Sequence, residues 1–239
     1  MKRLVSRFLG GAAVTIALVI GLGQITAHPV SALTFVPPSF DWTLAPGQSR
    51  QDVIKLYNDT SAPMTLYTVT APFTAKDESG TPSFDLTAKS TDLPSWITIS
   101  AGPFTINPNE KKEIPFAVTV PMDAEPGGHY AGIFVGSQSD AQPTGTQVSI
   151  RALSGPLMIL RVTGKVTEAA SILEFGVQGG TTMNRLPTTL FTRIHNTGNV
   201  HVRPTGTISV SNMFGSKTAS MTFNDRGGAV LPQSITPSS

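Results

Sequence analysis

From residue 33 onward, apolar and polar residues alternate over short stretches. The clearest stretch, Ile114-x-Phe116-x-Val118-x-Val120, puts four apolar side chains on one face of an extended strand. After residue 32 no segment repeats apolar residues at the spacing of an amphipathic helix. The same alternation predicts strands at Ile54–Leu56, Met64–Val69, Trp96–Ile99, Phe104–Ile106, Tyr130–Phe134, Val148–Ile150 and Leu157–Ile159. The pattern therefore predicts an all-β chain.

Turn residues separate these strands. Pro46-Gly47 fits a turn in which Pro fixes φ and Gly takes a positive φ. Pro108 lies in a second turn, and Pro121 should end the strand before it because proline cannot donate a ladder hydrogen bond. Many short strands with turns between them are typical of an immunoglobulin-like β-sandwich.

A weak internal repeat predicts two such domains. Leu56-Tyr57-Asn58-Asp59-Thr60 resembles Ile194-His195-Asn196-Thr197-Gly198, and Phe104–Glu110 resembles Ala229–Ser234. In both copies an Asn opens a turn, where its side chain can bond the backbone ahead. We predict a first domain at 33–166 and a second at 167–239. The expected strands of the second domain are Ile172–Phe175, Thr189–Ile194, Val200–Val210 and Thr218–Phe223.

The repeat also predicts that the second sandwich is incomplete. In the first domain the Pro108 turn is followed by two further strands, whereas the Pro232 turn is followed only by Ser234–Ser239. A sandwich that lacks strands exposes unpaired backbone groups and half of its core. Either the sequence is a C-terminally truncated fragment, the interpretation we favour, or a partner donates the missing strand.

Residues 1–32 have the layout of a secretory signal peptide. Three bases precede an apolar run from Phe8 to Gly23, and Val30-Ser31-Ala32 fits a cleavage site. The alternative is an uncleaved membrane anchor, although the apolar run is short for spanning a bilayer. Both interpretations place the rest of the chain outside the cytoplasm, at the cell surface, in the cell wall or extracellular.

Charge and cysteine content narrow the function. The chain has 17 Lys and Arg against 15 Asp and Glu, and residues 1–32 hold three of the bases and none of the acids, so the remainder carries 14 against 15. Nearly neutral charge without a basic stripe argues against a nucleic-acid partner. The absence of cysteine excludes thiol catalysis and disulfide support.

Candidate chemistry is sparse. His195 and His201 could approach each other, but a zinc site needs a third ligand, and none is evident. A calcium site could use Asp123, Glu125 and Asp140, although a solvated loop is the better explanation. Since a serine-nucleophile elbow is also missing, we predict no catalytic, cofactor-binding or metal-ligating residue and a non-enzymatic protein.

Three aromatic residues are speculative ligand-binding positions: Trp42, Trp96 and Tyr130. Exposed aromatic rings can stack on sugars in carbohydrate-binding modules. Both tryptophans lie in alternating apolar stretches, which favours core packing. Tyr130 follows Gly127-Gly128 and is expected to pack between the two sheets.

Four motifs follow one another along the first domain: Phe40-Asp41-Trp42-x-Leu44-x-Pro46-Gly47-Gln48, Ile54-x-Leu56-x-Asn58, the Pro108 turn, and Pro121 followed by Gly128-His129-Tyr130-Ala131-Gly132-Ile133. Together they resemble the WxL-interacting surface proteins of Gram-positive bacteria. The resemblance covers roughly residues 35–136 and extends loosely to the second domain. Two departures are Val36-Pro37-Pro38-Ser39 in place of the family's Asn-Gln pair, and the lack of a C-terminal membrane helix.

The resemblance implies two immunoglobulin-like domains, a peptidoglycan-binding first domain and a host-binding second one, with a C-terminal membrane helix. The expected partners are therefore peptidoglycan or another cell-wall glycan and other surface proteins. Membrane attachment would come from an uncleaved N-terminal segment or a C-terminal helix. Two alternatives stay open: a structural or pilus-chaperone-like module that acts by strand addition, and the non-catalytic part of a larger surface enzyme.

Overall fold

A computed structural model describes residues 33–76, 81–87, 90–138, 150–177 and 189–238. The chain from Ala32 onward forms one compact unit. The signal-peptide prediction for residues 1–32 and the proposed ligand Asp140 lie outside the described residues. No helix in the described ranges is long and apolar enough to cross a membrane.

The first sandwich contains eleven of the described strands and a single turn of helix. Its strands are β1 (Leu33–Val36), β2 (Ser39–Leu44), β3 (Ser49–Asn58), β4 (Met64–Ala75), β5 (Pro82–Phe84), β6 (Ile97–Ile99), β7 (Phe104–Ile106), β8 (Lys111–Thr119), β9 (Gly127–Gln138), β10 (Ile150–Ser154) and β11 (Leu157–Val162); the helix is α1 (Leu93–Trp96).

Two sheets form this sandwich. One has the order β1-β3-β8-β6, and the other has the order β2-β11-β9-β4-β5, with β10 also paired to β9 and β7 to β4. All of these pairs are antiparallel except β2 with β11, which is parallel. In every strand successive side chains point to opposite faces, so alternate side chains face the other sheet.

The core lies between the two sheets and follows the predicted alternation. Ile114, Phe116 and Val118 of β8 are buried, and their intervening neighbours are not. From the opposite sheet, β9 contributes Ala131 and Val135. Among the described residues, twenty buried apolar side chains form this one cluster, enough burial to stabilise a domain that has no disulfide.

The second sandwich is smaller. Its described strands are β12 (Ala170–Val177), β13 (Leu190–Asn196), β14 (Gly206–Ser211), β15 (Lys217–Phe223) and β16 (Ile235–Ser238). One sheet has the order β12-β13-β16, and β14 pairs with β15 in a hairpin. The protein is therefore an all-β chain of tandem immunoglobulin-like sandwiches, the predicted fold class.

Two local details differ from the expected strands. Leu93–Trp96 forms one helical turn with proline in its first positions, so the strand predicted from Trp96 begins at Ile97. The strand predicted at Val200–Val210 starts only at Gly206. Pro204 lies just before it, and proline cannot donate the ladder bond that a longer strand would need.

The repeat is visible in two buried asparagines, Asn58 and Asn196, which are both 0% exposed. Each side-chain amide donates to the carbonyl four residues later, at 2.9 and 2.8 Å, and each side-chain oxygen accepts from the backbone amide two residues later. Each amide also donates across the fold, Asn58 to Ile106 and Asn196 to Val230. The two sandwiches can therefore be aligned residue by residue around these turns.

Candidate binding site

The second sandwich has an open apolar cleft between its two sheets. The cleft has a volume of about 420 Å³. Its apolar walls come from β12, β13 and the hairpin, with side chains from Ile172, Phe175, Ile194, Ile208 and Phe223. In the first sandwich the corresponding space between the sheets is filled by the core.

A β-bulge in β12 places these apolar side chains on one face. Ile172 pairs with Ile194, and Phe175 pairs with Thr192, while the extra residue Leu173 falls between the two registers. A strand alternates strictly, so without the bulge Ile172 and Phe175 would point to opposite faces. Because of it both line the cleft, although Ile172 stays 67% exposed and Phe175 56%.

The hairpin presents the edge of β14 to the cleft. Six consecutive residues, Pro204–Ser209, line the cleft. Alternate residues of a strand point to opposite faces, so a run of consecutive lining residues means that the backbone edge borders the cleft. Within the described ranges, β14 has a hydrogen-bonded neighbour, β15, on one edge only.

The repeat identifies what covers this edge in the first sandwich. The bridge between Val202 and Val230 corresponds to the pair Met64 and Ile106. Counting from these bridges, Pro204–Val210 corresponds to Leu66–Pro72. That part of β4 pairs antiparallel with β9. The cleft therefore lies where a counterpart of β9 would run.

A junction of polar contacts fixes the two sandwiches to each other. Asn199 accepts a hydrogen bond from the amide of Gly128 at 2.8 Å, and its side chain donates to the Pro126 carbonyl at 3.1 Å. The Tyr130 hydroxyl accepts from the amide of His201 at 2.8 Å. These bonds use backbone groups from both sides, so they fix the relative position of the strands and not only of flexible side chains.

Charged side chains surround this junction. Arg203 forms an ion pair with Asp41 across it, and His201 Nε2 lies 3.8 Å from the same carboxylate. Burial lowers the pKa of His201, and Arg203 and Arg161 lower it further against the opposing effect of Asp41. Burial also raises the pKa of the Tyr130 hydroxyl, so both groups are neutral near pH 7.

His129 is a largely buried titratable side chain of the first sandwich. Its Nδ1 lies 2.5 Å from Asp92 and its Nε2 lies 2.8 Å from the carbonyl of Glu125, so both ring nitrogens face acceptors. Burial lowers its pKa, but these acceptors outweigh burial and the pKa is raised. With both nitrogens engaged, the ring has no free nitrogen for proton transfer to a substrate.

The three aromatic residues singled out from the sequence do not come together at a surface. Trp42 is 4% exposed; Phe116 stacks on it with ring centroids 5.7 Å apart, and the Arg50 guanidinium carbon lies 4.3 Å from its ring centroid. Trp96 is 9% exposed and its ring contacts His129. The stacking role of these residues stays a prediction.

Tyr130 lies on the opposite face of β9 from the one we expected. Ala131 and Ile133 of the same strand point into the core, so Tyr130 points away from it. Its ring packs against Phe73, with ring centroids 5.7 Å apart. Its hydroxyl belongs to the junction. The expectation that it packs between the two sheets is therefore wrong, because the pleat alternates strictly along this strand.

Sequence reasoning did not identify the cleft residues. Ile172, Phe175 and Phe223 fit ordinary strand positions in the sequence, because an alternating apolar residue gives the same pattern whether its partner strand is present or missing. The available signal was the repeat, which already predicted missing strands. As for metals, no three His, Asp or Glu residues in the described part of the chain come close enough to hold an ion.

Comparisons with known proteins give structural likenesses only. The sequence matches no protein-family model and no curated protein sequence. Among solved structures, the class 5 fimbriae chaperone CfaA superposes with a TM-score of 0.46 at 11% identity, covering 85% of this chain and 84% of that one. The E. coli chaperone DraB gives 0.42 at 13% identity, covering 87% and 84%. The Pseudomonas aeruginosa chaperone CupB2 gives 0.41 at 10%, covering 86% and 87%.

Proposed function

We propose that this protein is an exported, non-enzymatic binding module whose second sandwich accepts an extended strand from a partner surface protein. The observation that carries the proposal is the cleft along Pro204–Ser209, at the place where the first sandwich has β9. The N-terminal signal-like pattern supports export.

The backbone edge of β14 favours a strand over a compact ligand. An edge strand offers a row of amides and carbonyls that water satisfies only while the edge is exposed. An incoming strand satisfies the same groups by ladder hydrogen bonds, and its alternate side chains enter the space between the sheets. A strand can therefore pair with the edge and fill the space between the apolar walls at the same time.

The residues that line the cleft determine which side chains the partner strand should carry. In β9 the residues that face the core are Ala131, Ile133 and Val135, all fully buried. The cleft walls are aliphatic and aromatic, so a partner strand should carry small or medium apolar residues at alternate positions. Charged residues at those positions would be buried without a partner and would weaken binding.

The test uses a synthetic peptide with the sequence of β9, residues 127–138, added to the chain from residue 33 onward. We expect saturable binding by calorimetry. A peptide with Ile133→Pro is the matched control, because proline removes a ladder donor and disturbs strand pairing. In the protein, Phe175→Asp should abolish binding, whereas Met122→Asp, a change at an 82%-exposed position of the first sandwich, should leave it intact.

Three results would reject the proposal. The first is that neither the peptide nor any other strand with this alternation binds. The second is that a form of the chain extending past Ser239 fills the cleft itself, so that added peptide binds only to the shorter form. The third is binding that survives Phe175→Asp, which would place the strand outside the cleft.

Binding to cell-wall glycan, which the sequence resemblance implies for the first sandwich, stays a separate prediction. A sedimentation assay with purified peptidoglycan distinguishes it from strand addition. Glycan binding should be unaffected by Phe175→Asp, since that residue belongs to the second sandwich. The described positions of Trp42 and Trp96 give it no support, since both are buried.

A further inference from the structure

The tip of the β14–β15 hairpin presents two large apolar side chains to solvent. Met213 is 90% exposed and Phe214 is 83% exposed. The tip stands clear of the rest of the molecule, because a Cβ added at Gly215 would meet no atom within 4 Å. Two adjacent apolar residues at such exposure are costly in water and call for an explanation.

The tip is an ordered turn. Asn212 Oδ1 accepts hydrogen bonds from the amides of Phe214 and Ser216, both at 3.0 Å. The backbone carbonyl of Asn212 accepts from Gly215, and the Asn212 amide donates to Ser216. These amides therefore have hydrogen-bond partners within the turn. Moving the tip into an apolar medium would not leave them without a partner.

We propose that this tip inserts into the headgroup region of a lipid bilayer, with Met213 and Phe214 as the inserted side chains. Two side chains offer far less area than the roughly 1,000 Å² that a specific protein interface needs. Binding to a lipid surface needs no minimum contact area, because its strength scales with the apolar area that each inserted residue buries. This inference does not depend on strand binding in the cleft.

The charge around the tip favours a lipid with an anionic headgroup. Between Thr205 and Phe223 the chain has one charged residue, Lys217, and no acid. Lys217 is the first residue of β15, close to the tip, and is exposed. A lysine at this depth can keep its ammonium group among the headgroups while its stem covers apolar surface.

The test is co-sedimentation of the chain from residue 33 onward with vesicles of phosphatidylcholine and phosphatidylglycerol. Starting at residue 33 removes the apolar N-terminal segment, and the chain from Ala32 is a compact unit by itself. We expect Met213→Ser with Phe214→Ser to lower partitioning roughly tenfold. Lys217→Gln should lower it about fivefold on these vesicles and leave it unchanged on pure phosphatidylcholine.

A matched control separates the tip from other exposed apolar residues. Met122→Ser removes a methionine that is 82% exposed in the first sandwich, and this variant should partition like the unmodified chain. A Phe214→Trp variant should be quenched by brominated lipid. The buried Trp42 and Trp96 supply a constant background.

The proposal is overturned if the unmodified chain does not partition onto the vesicles or if the double serine variant partitions as strongly as the unmodified chain. It is also overturned if the tip mediates self-association, seen by sedimentation as a dimer without vesicles that the double variant abolishes. In that case the occupant is a second copy of the chain and not lipid.

Discussion

Replacing Asn58 by Ala should destabilise the first sandwich strongly, although the side chain is small. Asn58 is fully buried. Its amide donates to the carbonyls of Ala62, Ile106 and Asn107 at 2.9, 3.3 and 3.1 Å. Its oxygen accepts from the amide of Thr60 at 3.0 Å. The substitution removes all of these hydrogen bonds and adds none.

The magnitude follows from how deeply each lost hydrogen bond is buried. The bond to the Ile106 carbonyl is fully buried, so water cannot replace it, and its loss should cost about 1–3 kcal/mol. The remaining partners are only partly buried and should cost about 0.5 kcal/mol each. Together we expect the free energy of unfolding to fall by about 3 kcal/mol.

Urea unfolding followed by tryptophan fluorescence measures this change. Trp42 and Trp96 both lie in the first sandwich, so the signal reports on that domain. Asn107→Ala is the control, since its exposed side chain bonds only Glu110; it should cost well under 1 kcal/mol. A loss below about 1 kcal/mol for Asn58→Ala would refute the argument that the buried carbonyl sets the cost.

Three further predictions concern the same fold. Hydrogen bonds raise the pKa of His129 above 6.5 despite burial, so its stabilisation is complete below that pH and is lost as pH rises through the raised value; the thermal midpoint should fall across this window, and Asp92→Asn should flatten the profile. Tyr130→Phe leaves a junction amide without an acceptor and should cost about 1–2 kcal/mol, seen as faster proteolysis between the sandwiches. Gly155→Ala would put a Cβ 1.9 Å from a backbone carbonyl oxygen and should cost about 2 kcal/mol or more in urea unfolding, whereas Gly206→Ala, with nothing within 4 Å, should be neutral.

The features that the sequence predicted are those set by local patterns. Alternation located the buried face of β8, and the Asn-containing motifs identified the equivalent turns at Asn58 and Asn196. Both signals extend over only a few residues, where side-chain period and turn chemistry determine the backbone. The strand boundaries near Pro204 and Trp96 were less accurate, because proline acts on ladder pairing as well as on its own φ.

The features that could not be predicted depend on register between distant strands. Asp41 and Arg203 are 162 positions apart, and His129 meets Asp92 across 37 positions. A one-residue change in the register of β2 or β9 would turn Asp41 or His129 to the other face of its sheet. The bulge at Leu173 has that effect within a single strand. The spacing of residues in a single sequence shows neither this bulge nor the register between distant strands.

The open cleft links the stability of the second sandwich to its occupancy. Its buried apolar residues in the described part of the chain are Ile194, Val200 and Val230, against the twenty of the first core. A domain with so little burial has little stability of its own. A ligand that binds only the folded state adds stability in proportion to the logarithm of its concentration over Kd. The proposed binding of a strand and the folding of the second sandwich should therefore be one coupled equilibrium.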